Sequence, residues 1–356
     1  MPRNPRAPRD VNVHPMSFEP RNILVIDFGQ LGDVVLSLPA LAAVRHKFPR
    51  ARITVAVGGA AAPVVEMAGV ADEALAVDRV ALRDGPKHIS VWRIGQLVFE
   101  VRKKKFDFVI DLHSLSETNL LGYLSGASKR LYARRPGRSL DYLANFRPAP
   151  PVEDRKKHAT DRYLDVLAPL NVGEVSRTPR LPVREEDARA VSEMLRKAKA
   201  EASGPLVGMF PGAGHPSRRW PIERFAQLAW MFERNDSVRT ILFAGPEERA
   251  LVREARKQFP PSTVVLDKLT VRQLAAAAAP LSVFVSNDTG PMHVAAAVGT
   301  PVVILMQHHP MFNCYIPVGD RHRVVAASTI EAITVEAAYA AARSAFSTER
   351  ASSLFG

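Results

Sequence analysis

Residues 281–305, LSVFVSNDTGPMHVAAAVGTPVVIL, restrict the fold more than any other part of the chain. Val283, Phe284 and Val285 form a short apolar run of the kind buried in a parallel sheet. The run stops at Ser286-Asn287-Asp288-Thr289-Gly290, a cluster of small polar residues. Pro291 suits the first turn of a helix, so the spacing predicts a short helix over 292–298 with Asp288 or Thr289 as its N-cap. Gly299-Thr300-Pro301 ends that helix, and residues 302–305 begin another strand. A helix that starts at the carboxyl end of a strand marks the place where ligands bind in open α/β sheets. Its backbone N–H groups and its dipole favour phosphate. The same pattern serves equally as an ordinary turn whose Asp and Thr only cap the helix.

The alternation recurs along the chain. Residues 22–27 (NILVID) read as a buried strand, followed by the turn Phe28-Gly29-Gln30-Leu31-Gly32-Asp33. A helix follows over 34–48, with Val34, Leu38, Leu41 and Val44 at helical spacing. Gly29 and Gly32 do not have the spacing of a dinucleotide-binding GxGxxG turn. Asp33 is either a capping acid or a carboxylate facing a cleft, and spacing alone favours the cap. Further strands are expected over 52–57, 74–77, 106–112 and 131–133, with helices over 60–68, 89–105 and 158–167. Residues 171–205, with Pro179 and Pro182, read as a linker carrying a charged helix over 185–200. A second series has strands over 207–210, 240–244 and 264–265, and helices over 225–233 and 271–279, the latter capped by Thr270. The sequence thus predicts an α/β protein of two doubly wound parallel sheets with a cleft between them. The halves are expected over 21–180 and 181–330, followed by a helix over 331–346. Residues 1–20 and 347–356 read as unstructured tails.

Composition narrows the partners. The chain has 356 residues, a net charge of +12 and one cysteine, Cys314. A lone cysteine rules out an intrachain disulfide and suits the cytoplasm. No apolar run reaches the length of a membrane span, and Arg3, Arg6 and Arg9 stand where a signal peptide needs an apolar core. The positive charge favours anionic partners, but aromatic residues are only 7% and no nucleic-acid motif is present, so nucleic acid is not expected. Lys129, Arg130, Arg134, Arg135 and Arg138 form a basic patch suited to peripheral contact with an anionic membrane surface or to a phosphate of a large partner molecule.

Four blocks carry a family resemblance. GQLGDVVLSLPALAAVRHKFP, KKFDFVIDL, FPGAGHPSRRWP and SNDTGPMHVAAAVGTPVV, in that order, resemble the lipopolysaccharide heptosyltransferases, glycosyltransferase family nine. The likeness runs from about residue 21 to 326. It implies the GT-B fold, two Rossmann-like domains facing across a cleft. It also implies inverting transfer of a heptose from an ADP-activated donor to a core saccharide acceptor, without a metal or other cofactor, the ADP-sugar being a substrate. Asp33 then matches the family's catalytic aspartate, the base that takes the acceptor's proton. Arg218 stands where the family usually holds the donor phosphates with lysine, and Arg219 is the near alternative. Ala213, Gly214, Asp288, Thr289 and Gly290 would line the diphosphate, and His293 matches a family histidine. Glu247 or Glu248 resembles the glutamate that accepts the ribose hydroxyls, and Leu269 an apolar contact to adenine.

On the acceptor side the same comparison singles out Asp27, Gly32, His113 and Glu117. Many relatives have basic residues where this chain has Asp27 and Glu117, and the loop Met306-Gln307-His308-His309-Pro310 also departs from the family pattern. Two acids beside the reacting hydroxyl would repel an acidic sugar. The sequence therefore predicts an acceptor sugar that is neutral, or whose acid lies away from the attacking oxygen. An epimerase on the same fold and a non-catalytic nucleotide-sugar binding protein are the competing readings. A dinucleotide-dependent oxidoreductase is disfavoured by the missing GxGxxG.

Overall fold

The computed structural model describes residues 18–78, 87–198 and 204–352. Most of the expected N-terminal tail (1–17), the end of the linker (199–203) and the last four residues lie outside that set. The first half is a five-stranded sheet of β1 (Asn22–Asp27), β2 (Arg52–Gly58), β3 (Glu73–Val77), β4 (Phe108–Asp111) and β5 (Lys129–Tyr132). All its pairings are parallel, in the order β3-β2-β1-β4-β5. Its helices are α1 (Leu31–Lys47), α2 (Ala62–Ala68), α3 (Lys87–Lys103), α4 (Ser116–Leu124) and α5 (Ala159–Val166). Ile23, Leu24, Val25 and Ile26 are all fully buried, which is why β1 reads as a continuous apolar run and not as an alternation.

The second half is a six-stranded parallel sheet. Its strands are β6 (Leu206–Phe210), β7 (Arg239–Phe243), β8 (Val264–Leu266), β9 (Val283–Asn287), β10 (Val302–Gln307) and β11 (Arg323–Ala327). The order is β11-β10-β9-β6-β7-β8. The helices are α6 (Glu185–Lys197), α7 (Ile222–Asp236), α8 (Arg249–Ala255), α9 (Val271–Ala278), α10 (Gly290–Ala297) and α11 (Val335–Ser352). α9 carries the expected Thr270 cap, whose hydroxyl accepts the Gln273 N–H at 3.2 Å. In each sheet the winding reverses once, between β1 and β4 and between β6 and β9. Those two switch points are where a doubly wound sheet opens a crevice at its carboxyl edge.

Several elements differ from the sequence reading. Residues 18–20 belong to the fold and not to a tail, because the Phe18 ring packs edge-on against Phe108 with centroids 5.6 Å apart. α4, α8 and β11 are present although the sequence did not announce them. The C-terminal helix starts at Val335, not 331. Residues Ile330–Ala332 form a 3-10 turn, and the Thr334 hydroxyl accepts the Ala337 N–H at 3.1 Å, setting the start of the helix. That helix runs on through Ser352, into the expected C-terminal tail.

Among the described residues the halves meet along three stretches, one of them α2 against α9, where the Arg272 guanidinium donates to the Glu66 carboxylate. α1 packs across α10. Farther along, the 314–316 segment of the second half docks on residues 155–162 of the first. His158 Nε2 is 2.8 Å from the Ile316 carbonyl, and the Arg162 guanidinium lies 5.0 Å from the Tyr315 ring centroid. Cys314 is buried there with a free thiol.

Phe108 anchors the first half, since Phe18, Phe48 and Phe146 all pack on its fully buried ring. Phe108→Ala is expected to cost about 3–5 kcal/mol of stability, the range for an aromatic ring removed from a core. Urea unfolding followed by fluorescence and circular dichroism checks this, and a loss below about 1 kcal/mol would show that the ring is not an anchor.

Candidate functional site

The turn after β1 supplies the first wall. Asp27 is completely buried, and its Oδ1 accepts the Gly29 N–H at 3.0 Å. Burial pushes its carboxyl above the usual range, against the Ser37 and Gly29 hydrogen bonds, and Oδ2 has no hydrogen-bond partner. Asp33 lies on the other side of Gly29. A Cβ built on Gly29 would come within 2.5 Å of the Asp33 Cβ and 3.0 Å of Asp27 Oδ1. Asp33 Oδ2 accepts the Gln30 N–H at 2.9 Å, closing the first turn of α1. Asp33 is therefore a capping acid, and it is also a half-buried carboxylate at the crevice. Glu117 is exposed in the first turn of α4, where the helix dipole favours an acid. The expected pair of acceptor-facing acids is not assembled. Asp27 sits beneath the turn as a structural acid, so the repulsion argument loses one of its two charges.

The loop after β4 forms the neighbouring wall. Asp111 is fully buried, with Oδ1 accepting the Ser114 N–H at 2.7 Å and Oδ2 accepting Asn119 Nδ2 at 2.8 Å. Burial lifts its carboxyl to about 7 despite these bonds. Asn119 Oδ1 in turn accepts the Leu140 N–H at 2.8 Å. This network fixes the half-buried His113, whose carbonyl accepts a hydrogen bond from Arg135. Arg135 and Arg162 share Glu153, at 3.1 and 3.2 Å. Sequence reasoning assigns Arg135 only to a surface patch and misses Asp111, Asn119, Glu153 and Arg162. An acid at the last position of a buried strand, with an Asn eight residues on, was the available signal.

The second half contributes the loops after β6 and β9. Asn287, completely buried, binds them together. Its Nδ2 donates to the Pro211 carbonyl at 2.8 Å and the Gly212 carbonyl at 3.2 Å, and its Oδ1 accepts the Trp220 N–H at 2.9 Å. Ala213 is buried and Gly214 exposed. The two arginines divide roles. Arg219 donates to the Ala213 carbonyl at 3.3 Å and so braces the loop. Arg218 is 54% exposed and pairs with Asp288 at 3.7 Å. Glu247 is exposed, whereas Glu248 turns inward, accepts the Gly245 N–H at 3.1 Å and packs beneath Gly212. Leu269 is half-buried against the core next to α9. Thr289 occupies the N-cap position of α10 in extended conformation, but its side chain makes no capping bond. The expected Thr289 side-chain cap is thus absent, and its carbonyl instead accepts the Met292 N–H at 3.2 Å.

The two halves bring these walls together where α1 and α10 begin. A Cβ on Gly32 would lie 2.6 Å from His293 Cδ2, and one on Gly290 would lie 3.0 Å from the Leu31 Cβ. Each glycine leaves the space that the facing side chain fills. Asp33 is near enough to Asp288 to raise its carboxyl, in concert with burial and against Arg218. The crevice thus gathers Asp33, Asp288, Arg218, Thr289 and Gly290. Among the described residues, no group of three or more His, Cys, Asp or Glu side chains is placed to hold a metal ion.

Comparison with known proteins bears on this arrangement. Residues 94–340 match the model for "Glycosyltransferase family 9 (heptosyltransferase)". A lipopolysaccharide core heptosyltransferase, OpsX of Haemophilus influenzae, is 20% identical over 296 residues, covering 82% of this chain and 80% of that protein. The crystal structure of a family 9 glycosyl transferase from Veillonella parvula superposes with a TM-score of 0.81 at 27% identity, covering 92% of this chain and 97% of that one. The Escherichia coli heptosyltransferase WaaC, solved with ADP-2-deoxy-2-fluoro heptose, shares the fold at a TM-score of 0.70 and 19% identity, covering 92% and 99%.

His293 sits at the centre of the junction and yields a pH prediction. It is buried, its Nδ1 lacks a hydrogen-bond partner, and burial lowers its pKa to about 4. The unfolded chain, with an ordinary imidazole, binds the proton first. The folded state is therefore progressively disfavoured as pH falls from about 6.5 to about 4. Buried Asp111 contributes with the opposite sign below about 7, so the His293 share is read as a difference between proteins. The stability of His293→Gln should fall less steeply than that of the parent across this window, in urea titrations at stepped pH. Parallel curves would show that the ring is not held neutral.

Proposed function

Because the chain belongs to glycosyltransferase family 9, the heptosyltransferases, we propose that it transfers a heptose from an ADP-activated donor to a saccharide of the lipopolysaccharide core. The observation that carries the reading is the meeting of α1 and α10, which sets Asp33 opposite Asp288, Thr289, Gly290 and Arg218. One side of this crevice offers a base. The other offers a cation and a helix N-terminus, the pairing that glycosyl transfer from a diphosphate requires.

Asp33 takes the proton of the acceptor hydroxyl while that oxygen attacks the anomeric carbon. The bond from that carbon to the diphosphate oxygen breaks on the opposite face, so the anomeric centre inverts. The electron pair leaves on ADP, whose developing charge is met by Arg218 and the start of α10. Arg218 is paired with Asp288 in this structure, and a diphosphate would compete for it. Burial and the nearby Asp33 favour the neutral form of Asp288, which eases that exchange. Glu247, exposed beside the β7 loop, is the acid able to reach a ribose, since Glu248 is engaged with the Gly245 turn. Metal independence belongs to the same reading, with Arg218 and α10 meeting the charge. Family membership favours this transferase over an epimerase or a non-catalytic binding protein.

Asp33→Asn is expected to lower kcat by about a hundred- to ten-thousandfold while ADP affinity changes little. Steady-state kinetics with calorimetry checks this, and near-parental kcat would remove Asp33 from the role. Arg218→Ala should weaken ADP binding by about 1.5–3 kcal/mol, the range for a charge-assisted hydrogen bond. EDTA should leave the rate unchanged, and an EDTA-sensitive reaction would contradict the metal-free reading.

A further inference from the structure

The site takes no account of where this protein carries its exposed apolar side chains. Among the described residues eight large hydrophobic side chains are exposed, and seven of them lie between Trp92 and Val152. Trp92 (62% exposed) and Phe99 (70%) stand seven residues apart, on one face of α3, whereas Leu97, Val98 and Val101 point inward to the core. Leu120 and Tyr123 form an outward pair on α4, and Tyr142 (76% exposed) projects from the turn at 141–143.

These elements adjoin one another. Arg102 donates to the Leu124 carbonyl at 3.3 Å, joining the end of α3 to the end of α4. Arg130 lies 5.3 Å from the centroid of the Tyr123 ring and donates to the Leu143 carbonyl at 3.0 Å, joining α4 to the 141–143 turn. The surface is also strongly basic. Residues 92–152 hold 11 Lys and Arg against 5 Asp and Glu, and of those cations Arg93, Lys104, Arg134 and Arg135 are paired with acids. Lys103, Lys105 and Arg138, close in sequence to these aromatic side chains, are exposed.

We infer that the outer face of α3, α4 and the 141–143 turn docks on an anionic lipid surface, with Trp92, Phe99, Leu120, Tyr123 and Tyr142 at the interface and the flanking cations against the headgroups. Trp and Tyr suit that boundary because each combines an apolar ring with a polar atom. Basic residues add attraction to anionic lipid that salt screens. Neither component suffices alone, and here they occupy one face. α4 begins just beyond the carboxyl end of β4, next to β1 and Asp33. A docked protein would thus hold its acceptor side close to the bilayer. This last point rests on the proposed function and on a lipid-linked acceptor, whereas the docking itself does not.

The test uses the full chain and vesicles free of any acceptor, so binding is scored without catalysis. Flotation should recover the protein with vesicles of phosphatidylcholine plus phosphatidylglycerol, and much less with phosphatidylcholine alone. Added salt should weaken the interaction. The triple variant Trp92→Ser, Phe99→Ser, Tyr142→Ser and the double variant Lys103→Glu, Arg138→Glu should each bind about tenfold more weakly or worse. All of these residues lie outside the crevice. Circular dichroism should match the parent, and transfer to a lipid-free acceptor should be unchanged, so loss of docking and loss of the transferase reading are separate outcomes. Equal flotation of parent and variants would overturn the proposal. So would sedimentation showing that the parent self-associates through this face, with the triple variant monomeric and neither binding vesicles.

Discussion

The junction between α1 and α10 depends on two missing side chains. Gly32 faces His293 at a separation that leaves no room for a Cβ, 2.6 Å, and Gly290 faces Leu31, where a Cβ would be crowded at 3.0 Å. Neither glycine needs an unusual backbone angle, so the constraint is one of close approach. With both spaces filled by the facing residue, the two helix N-termini converge on one crevice. Each brings the positive end of its dipole. Asp33 and Asp288, both half-buried there, answer that charge. His293, held neutral, lies beneath and adds none. A larger residue at Gly32 would push against the buried His293 ring on the opposite wall, so it would separate the two walls and not merely reshape one of them.

A second regularity sets the walls themselves. Three buried acids each accept the amide of a nearby turn: Asp27 from Gly29, Asp111 from Ser114 and Glu248 from Gly245. Burial raises the carboxyl of all three. Asn287 does the corresponding work for the β6 loop without charge, through the Pro211 and Gly212 carbonyls. The groups that hold the loops are therefore buried and engaged, while the groups able to meet a ligand, Asp33 and Arg218, are partly or largely exposed. The division between Arg218 and Arg219, and between Glu247 and Glu248, follows the same line. In each pair one member is tied to backbone and the other faces solvent.

Much of the architecture was legible in the sequence for a physical reason. Strands buried on both faces of a parallel sheet leave continuous apolar runs, and 22–27, 207–210 and 283–285 are of that kind. The strand–loop–helix unit around Asp288 was legible because small polar residues, a proline and an alanine run fall in order. What stayed hidden depends on side-chain direction. Asp27 and Asp33 flank one turn, and nothing in their spacing says that Asp27 points down into the core while Asp33 reaches the crevice. β11 is only half-buried throughout, so its RVVAA lacks the contrast that marks β1. Phe18 looked like part of a tail because its partner, Phe108, is ninety residues away.

Charge shows most clearly where composition misleads. A net +12 invites the thought that the positive residues serve a phosphate-bearing donor. In the crevice, however, Arg218 is paired with Asp288, Arg219 is spent on a backbone carbonyl, and Arg135 and Arg162 share Glu153. The local balance is close to neutral, and what the crevice offers an anion is one exposed arginine and a helix terminus. Exposed cations outside the crevice, Lys103, Lys105 and Arg138, lie on the segments around α3, α4 and the 141–143 turn, which also carry apolar and exposed side chains. A cation at that surface acts over about a Debye length, roughly 10 Å at 0.1 M salt, whereas the crevice acts through contact. Net charge and the charge of the crevice are thus separate properties of this chain, carried by different residues.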